Sequence, residues 1–210
     1  MNQICDTHEL DYGRLKGQLE INGTIMLPAG QLYSDAEVHE LDALRRKLPE
    51  EIIHLGDAGE SNDLFVARLM VDRPGKLPEL VNQPMSNCGI DILKTSKRCE
   101  FFRHLFGRDL FLRRCQVNRM IEGSFIGYHL DTDSNPDYYV SVVIQLGHAY
   151  GNGEFVVYVN GKSHTYAPQF GSVIVSKCIY PHEVRRVTEG ERISLVYFFS
   201  SDAQENRRQP

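Results

Sequence analysis

Seven short runs rich in valine, isoleucine, tyrosine and phenylalanine follow one another after residue 109, and they leave few folds open. They cover 110–120, 138–146, 154–159, 161–166, 172–176, 182–187 and 192–199, separated by turn signals such as Gly151-Asn152-Gly153, Asn160-Gly161 and Glu189-Gly190. β-Branched and aromatic residues fit a pleated, half-buried surface, so each run reads as a strand. Asn160-Gly161 between two apolar runs predicts a tight two-residue hairpin. No helical stretch lies between these strands, which disfavours a parallel βαβ arrangement. An antiparallel two-sheet barrel or jelly roll is favoured instead.

The first half has a different character. Residues 34–50 open with a Ser34-x-x-Glu37 capping box and carry Val38, Leu41, Leu44 and Leu48 at helical spacing. Further helices are predicted over 77–81 and 95–106, the latter with Phe101, Phe102 and Leu105 on one face, and 63–71 reads as extended. The fold expected is mainly β with N-terminal helices, an α+β chain. A single domain of 1–210 is expected, with a mainly helical support region over 1–108, a jelly-roll core over 109–200 and a polar tail over 201–210.

Composition removes several functional classes. With 41% hydrophobic and 24% charged residues, the chain is neither disordered nor membrane-like. No apolar run approaches the roughly 20 residues that span a bilayer. A net charge of −5 gives no reason to expect nucleic acid as a partner, despite the local pairs Arg113-Arg114 and Arg185-Arg186. The start lacks a basic segment followed by an apolar one, and Cys5, Cys88, Cys99, Cys115 and Cys178 are scattered and odd in number. Reduced thiols and a cytoplasmic location are therefore expected.

The residues that carry chemistry lie in the β half. In extended chain, residues two apart point to one side, so His129 and Asp131 can reach a common point while Leu130 faces away. His182 opens a distant predicted strand that a jelly roll can bring alongside. Two imidazoles and one carboxylate on one face of Fe(II) leave adjacent coordination positions open for a cosubstrate and O₂. A His-x-Asp pair alone is as readily a hydrogen-bonded surface couple. Arg192 and Ser194 change that balance, because they share one face of a strand and can meet the same carboxylate. A buried arginine is costly unless paired, and its planar fork suits a carboxylate. The competing reading of Arg192 is a salt bridge to Glu189 or Glu191.

The stretch from Glu122 to Asp131, then Gly151-Asn152-Gly153-Glu154-Phe155, then 168–175, then His182-Glu183-Val184 through Arg192-Ile193-Ser194-Leu195, resembles the Fe(II)- and 2-oxoglutarate-dependent dioxygenases, in particular their prolyl-4-hydroxylase-like branch. The resemblance covers about 109–200. It implies a double-stranded β-helix, with His129, Asp131 and His182 as iron ligands, Arg192 on the distal carboxylate of 2-oxoglutarate, Ser194 beside it, and O₂ as the oxidant. That branch often has a tyrosine where this chain has Met120, which makes Asn118 the candidate donor to the cosubstrate. Halogenating members lack the carboxylate ligand; Asp131 is retained, which implies hydroxylation.

For the substrate, the segment 133–138 follows the ligand pair and is expected at the mouth of the barrel, or else as an ordinary Asn-Pro turn. Asp133 and Asn135 are candidate contacts there, with Asp133 facing a cationic group and Arg68, Arg73 or Arg114 a carboxylate. Together these suit a small molecule, in particular a free amino acid. A protein or peptide residue is the alternative substrate. Outside this class stand a cupin-like metal enzyme without 2-oxoglutarate and a non-catalytic jelly-roll binding module.

Overall fold

A computed structural model describes residues 10–208 of the chain. The amino-terminal part contains helices α1 (Tyr12–Asn22), α2 (Asp35–Arg45), α3 (Met85–Leu93) and α4 (Ser96–Phe106). Strands β1 (Thr24–Leu27), β2 (Glu51–Leu55), β3 (Ser61–Val71) and β4 (Glu79–Leu80) are interleaved with them. The remainder is β5 (Phe111–Met120), β6 (Phe125–His129), β7 (Tyr138–Gln145), β8 (Tyr150–Asn152), β9 (Phe155–Val159), β10 (Lys162–Tyr166), β11 (Val173–Lys177), β12 (His182–Val184), β13 (Val187–Gly190) and β14 (Arg192–Ser200).

The strands join in the order β1-β11-β7-β14-β5-β3-β6-β12-β9-β10, with β2 and β4 also paired to β3, and β8 paired to β13. This nearly closed antiparallel sheet, backed by helices, is a jelly-roll core. Its turning point is β3, which pairs with β5 from Phe65 to Met70 and with β6 through Asn62 and Asp63. The Asn160-Gly161 hairpin forms as expected: both residues have positive φ, and Lys162 pairs with Val159 across the two-residue loop.

Two apolar layers lie on opposite faces of the main sheet. Leu195, Tyr197 and Phe199 of β14 pack with Val140 and Val142 of β7, Val117 of β5 and the helical residues Leu41, Phe101 and Phe102. Val196 and Phe198 point the other way, with Val143, Val66, Phe155 and Val157. Because both faces are covered, all nine residues of β14 are buried, and its sequence reads as a nearly continuous apolar run. Helices α2 and α4 are fixed on their face by a polar clamp. Arg98 pairs with Glu37 at 2.6 Å and lies over the Tyr33 ring, whose hydroxyl is 2.7 Å from that of Tyr197. Ser34 caps α2 with the expected box: the Glu37 amide donates to its hydroxyl, and its own amide donates to the Glu37 carboxylate.

One local expectation fails, and the structure adds detail to two others. The helix predicted over 77–81 is β4, whose Leu80 and Glu79 pair with Met70 and Val71. Pro84 disfavours helix in the residue before it and instead serves as the N-cap of α3. The support region 1–108 is not helices alone, because β3 runs through the sheet and supplies cavity wall. The tail is tied down over its described part. Asn206 is buried, its amide donates to the Lys76 carbonyl, and its carbonyl accepts from Gly75, while Arg113 donates to the Gln204 carbonyl. Buried backbone groups need partners, and this segment both finds and supplies them. Cys88 and Cys99 are exposed thiols and Cys115 and Cys178 buried ones; Cys5 and residues 209–210 lie outside the described residues.

Candidate active site

Strands β6 and β12 are neighbours, and His129 and His182 sit directly opposite each other in their register. That pairing places two imidazoles on one face with ring centroids 4.3 Å apart. Asp131 follows at the start of a 3-10 turn (Asp131–Asp133), after Leu130 has kept the chain extended, so it points back toward both rings. Its Oδ1 is 3.5 Å from His129 Nε2 and 3.6 Å from His182 Nε2. One donor atom from each of the three residues lies within 4.8 Å of the others, the arrangement of a three-ligand metal site. Three donors about 2.1 Å from one ion at right angles would stand about 3 Å apart, close to the two His–Asp separations.

Backbone carbonyls fix both rings. His129 Nδ1 lies 2.8 Å from the Gly127 carbonyl and His182 Nδ1 3.2 Å from the Tyr180 carbonyl. A carbonyl can only accept, so each Nδ1 carries a proton and each Nε2 is turned toward Asp131, as metal-bound histidines require. Gly127 is needed for a further reason. A Cβ there would come within 2.5 Å of the Ser61 carbonyl oxygen, and its amide donates to Asn62 Oδ1 at 3.2 Å.

The electrostatics suit a cation. Burial alone would raise Asp131, but the facing histidines hold it down at about 2. Burial alone would lower His129, yet the Asp131 carboxylate raises it to about 9, while burial lowers His182. The cluster thus keeps an ionised carboxylate with one proton shared against it, and a divalent cation at the same point would replace that proton. Asp131 Oδ2 is buried and, among the described residues, has no hydrogen-bond partner.

The three residues line a cavity of about 90 Å³ between the two sheets, and Arg192 and Ser194 line it too. Arg192 is 1% exposed. Its Nη1 donates weakly to Ser194 Oγ at 3.3 Å and to Met120 Sδ at 3.7 Å, while Nε and Nη2 have no partner among the described residues. The salt bridge to Glu191 considered from sequence does not form; that carboxylate pairs with Arg119 at 3.1 Å. A buried guanidinium with donors unspent and no carboxylate is a built receptor for an anion. Burial lowers its pKa, opposed by the neighbouring Tyr150 phenol.

The other sequence candidates divide. Asn118 stands opposite Ser194 in the β5–β14 register, lines the cavity, and accepts from Gln116 Nε2 at 2.7 Å. Arg68 and Arg114 also line it. Asp133 and Asn135 do not. Asp133 is exposed outside the cavity, because the 3-10 turn carries its side chain away from Asp131. Asn135 is fully buried behind the site, donating to Asp72 Oδ2 at 2.7 Å and accepting from the Asp137 amide at 2.9 Å, as an Asx-type turn does. Sequence reasoning missed Tyr150 beside Arg192, and Asp57, Glu60 and Asn62, which reach the cavity from β3 and the loop before it. The alternation of Asn62, Leu64, Val66 and Arg68 was the available signal for the β3 face.

Comparison with known proteins places this geometry. Residues 115–200 match the family model of the 2OG-Fe(II) oxygenase superfamily. An oxidoreductase of the 2OG-Fe(II) oxygenase family from Burkholderia pseudomallei is 46% identical, with 96% of each chain covered and a TM-score of 0.90. A Pseudomonas putida prolyl-4-hydroxylase shares the fold at 19% identity, with 91% of this chain and 99% of that chain covered and a TM-score of 0.64. A Trichoplax adhaerens prolyl hydroxylase does so at 14% identity, with 94% and 96% covered and a TM-score of 0.64. No curated protein sequence matches the chain. With a 46%-identical relative matched over nearly its whole length, and a jelly roll holding a His-Asp-His cluster, the chain belongs to the 2OG-Fe(II) oxygenase family, enzymes that use Fe(II), 2-oxoglutarate and O₂.

Proposed function

We propose that this oxygenase hydroxylates an unactivated C–H bond of a small molecule, with free amino acids as the substrate class. Its site residues are His129, Asp131 and His182 for Fe(II), and Arg192, Ser194 and Asn118 for 2-oxoglutarate. The observation that carries the assignment is the coincidence, in one cavity, of a three-donor cluster and a buried arginine without a carboxylate partner. When bound, the metal and cosubstrate supply O₂-dependent insertion of one oxygen atom into a C–H bond, while 2-oxoglutarate is converted to succinate and CO₂.

The chain's own residues bind, orient and keep dry. Gly127 and Tyr180 hold the two imidazoles by their Nδ1 protons, so both Nε2 lone pairs face the metal position. The Arg192 fork and the Ser194 hydroxyl receive the far carboxylate of the cosubstrate, and Asn118, across from Ser194, lends its amide. Val143, Phe155, Val196 and Phe198 wall the space between with apolar surface, which excludes water from the reacting carbon. Membership of the family sets aside the non-catalytic module and the metal enzyme without 2-oxoglutarate.

Anaerobic titration with Fe(II) and then 2-oxoglutarate tests the site: a weak visible charge-transfer band is expected. Succinate release with each free amino acid in turn tests the substrate class. Silence across all of them with the band intact rejects that class, and no band at all rejects the site.

A further inference from the structure

The cavity has a guanidinium at each end. Arg192 faces Met120 across the β14–β5 ladder, and Arg114 faces Phe198. Met120 and Arg114 are six positions apart along β5, about 20 Å of extended strand. A five-carbon dicarboxylate, with four C–C bonds of about 1.5 Å each, is much shorter than that backbone separation. A cosubstrate held by Arg192 therefore leaves Arg114 for a different anion.

The two cavity arginines outside the cosubstrate end are held in different ways. Arg68 pairs with Glu51, whose side chain is 53% exposed but whose backbone is held in β2, itself laddered to β3. Arg114 donates from Nε to Gln116 Oε1 at 2.8 Å and stands over the Phe198 ring, which orients the fork and leaves its outer edge, Nη1 and Nη2, for another partner. That edge meets the Asp57 carboxylate at 2.6 Å. Asp57 is no part of a strand. It sits on the short loop between β2 and β3, which closes on itself through Gly56 N–H to the Glu60 carbonyl at 2.8 Å and Gly59 N–H to the Gly56 carbonyl at 3.0 Å. Its side chain is 46% exposed, whereas that of Arg114 is 13% exposed. An ion pair half open to water is weak and easily exchanged. A carboxylate on the same fork inside the cavity gains a stronger charge-assisted bond.

We propose that Arg114 anchors a carboxylate of the substrate, and that Asp57 occupies this anchor until a substrate displaces it. The proposal rests on the oxygenase reading above and deepens it: the substrate is a small molecule with a free carboxylate. Asp57 is itself proof that a carboxylate fits the fork. Once displaced, it stays beside the cavity with Glu60, whose carboxylate accepts from the Ala58 amide and Asn62 Nδ2; both acids line the cavity and can face a cationic group on the same substrate, as in an amino acid.

The test uses the whole chain loaded with Fe(II) and 2-oxoglutarate. The probes are the free L-amino acids, short aliphatic acids, and the carboxamide of every compound that responds. At least one free acid is expected to raise the melting temperature without oxygen and to stimulate succinate release with it, the carboxamide being tenfold or more weaker. Arg114→Gln should raise KM for that acid at least tenfold with a smaller change in kcat. Asp57→Asn, on the exposed loop, should lower KM about twofold or more by removing the competitor. Silence of the whole panel with the visible band intact overturns the proposal, as does a carboxamide that serves as well as the acid. So does a wild-type KM in Arg114→Gln or, should that variant not fold, an unchanged or raised KM in Asp57→Asn. A loaded protein that shows no visible band overturns the oxygenase site as well, which separates the two failures.

Discussion

The two faces of β14 obey different rules although they alternate along one strand. On the helix side, Leu195 and Tyr197 are fully buried, and the Tyr197 hydroxyl is spent on Tyr33. On the cavity side, Arg192 and Ser194 are just as buried, yet the guanidinium keeps two nitrogens without a partner among the described residues. Burial is equal, so exposure alone would not tell the faces apart. Polar satisfaction does: a face that closes its own hydrogen bonds serves stability, and one that leaves donors unspent serves a ligand.

Substitutions should separate the faces in opposite directions. The largest effect is expected for His129→Ala, which removes one of three donors: succinate production should fall by at least about 10³-fold and anaerobic iron binding should be lost, with the fold retained by circular dichroism. Leu195→Ala should do the reverse, costing roughly 2–5 kcal/mol of stability in denaturant unfolding while the remaining folded protein binds 2-oxoglutarate normally. Arg192→Met should weaken 2-oxoglutarate by about 100-fold, or about 2.7 kcal/mol, with iron still bound. Its melting temperature should hold or rise, because an uncompensated buried charge is replaced by apolar volume. Tyr197→Phe should cost only about 1 kcal/mol and leave cosubstrate affinity untouched. A stability loss in Arg192→Met as large as that of Leu195→Ala would abolish the distinction between the faces.

Much of the β half could be read from sequence because its strands are short apolar runs bounded by local turn chemistry, Asn160-Gly161 most clearly. The His129, Asp131, His182, Arg192 and Ser194 set was readable mainly through the family resemblance, since period-two spacing alone leaves His129 and Asp131 as readily a surface couple; the structure places all five around one cavity. What escaped depends on distant partners. Strand β1 pairs with β11, where Thr24 meets Ser176 with hydroxyl oxygens 2.7 Å apart, and nothing local in its four residues announces that neighbour. The 77–81 segment was misread as helix because its apolar residues carry no sign of the Met70–Leu80 pairing that captures it. Asp133 and Asn135 were assigned to the mouth by proximity to Asp131 alone, but a 3-10 turn changes side-chain direction at every residue. Asp57 was missed because an acidic residue between glycines looks like any solvated loop.

The opposition of His129 and His182 across β6 and β12 also makes the metal centre a proofreader of folding. Sliding β12 by one position would turn His182 to the far side of the sheet while leaving most hydrophobic contacts of the other strands in place. Such a chain would look folded to any probe of compactness yet be colourless with iron and cosubstrate. The expected visible band would therefore grade preparations by strand alignment, and the fraction of molecules that take up iron would count those assembled in the correct register.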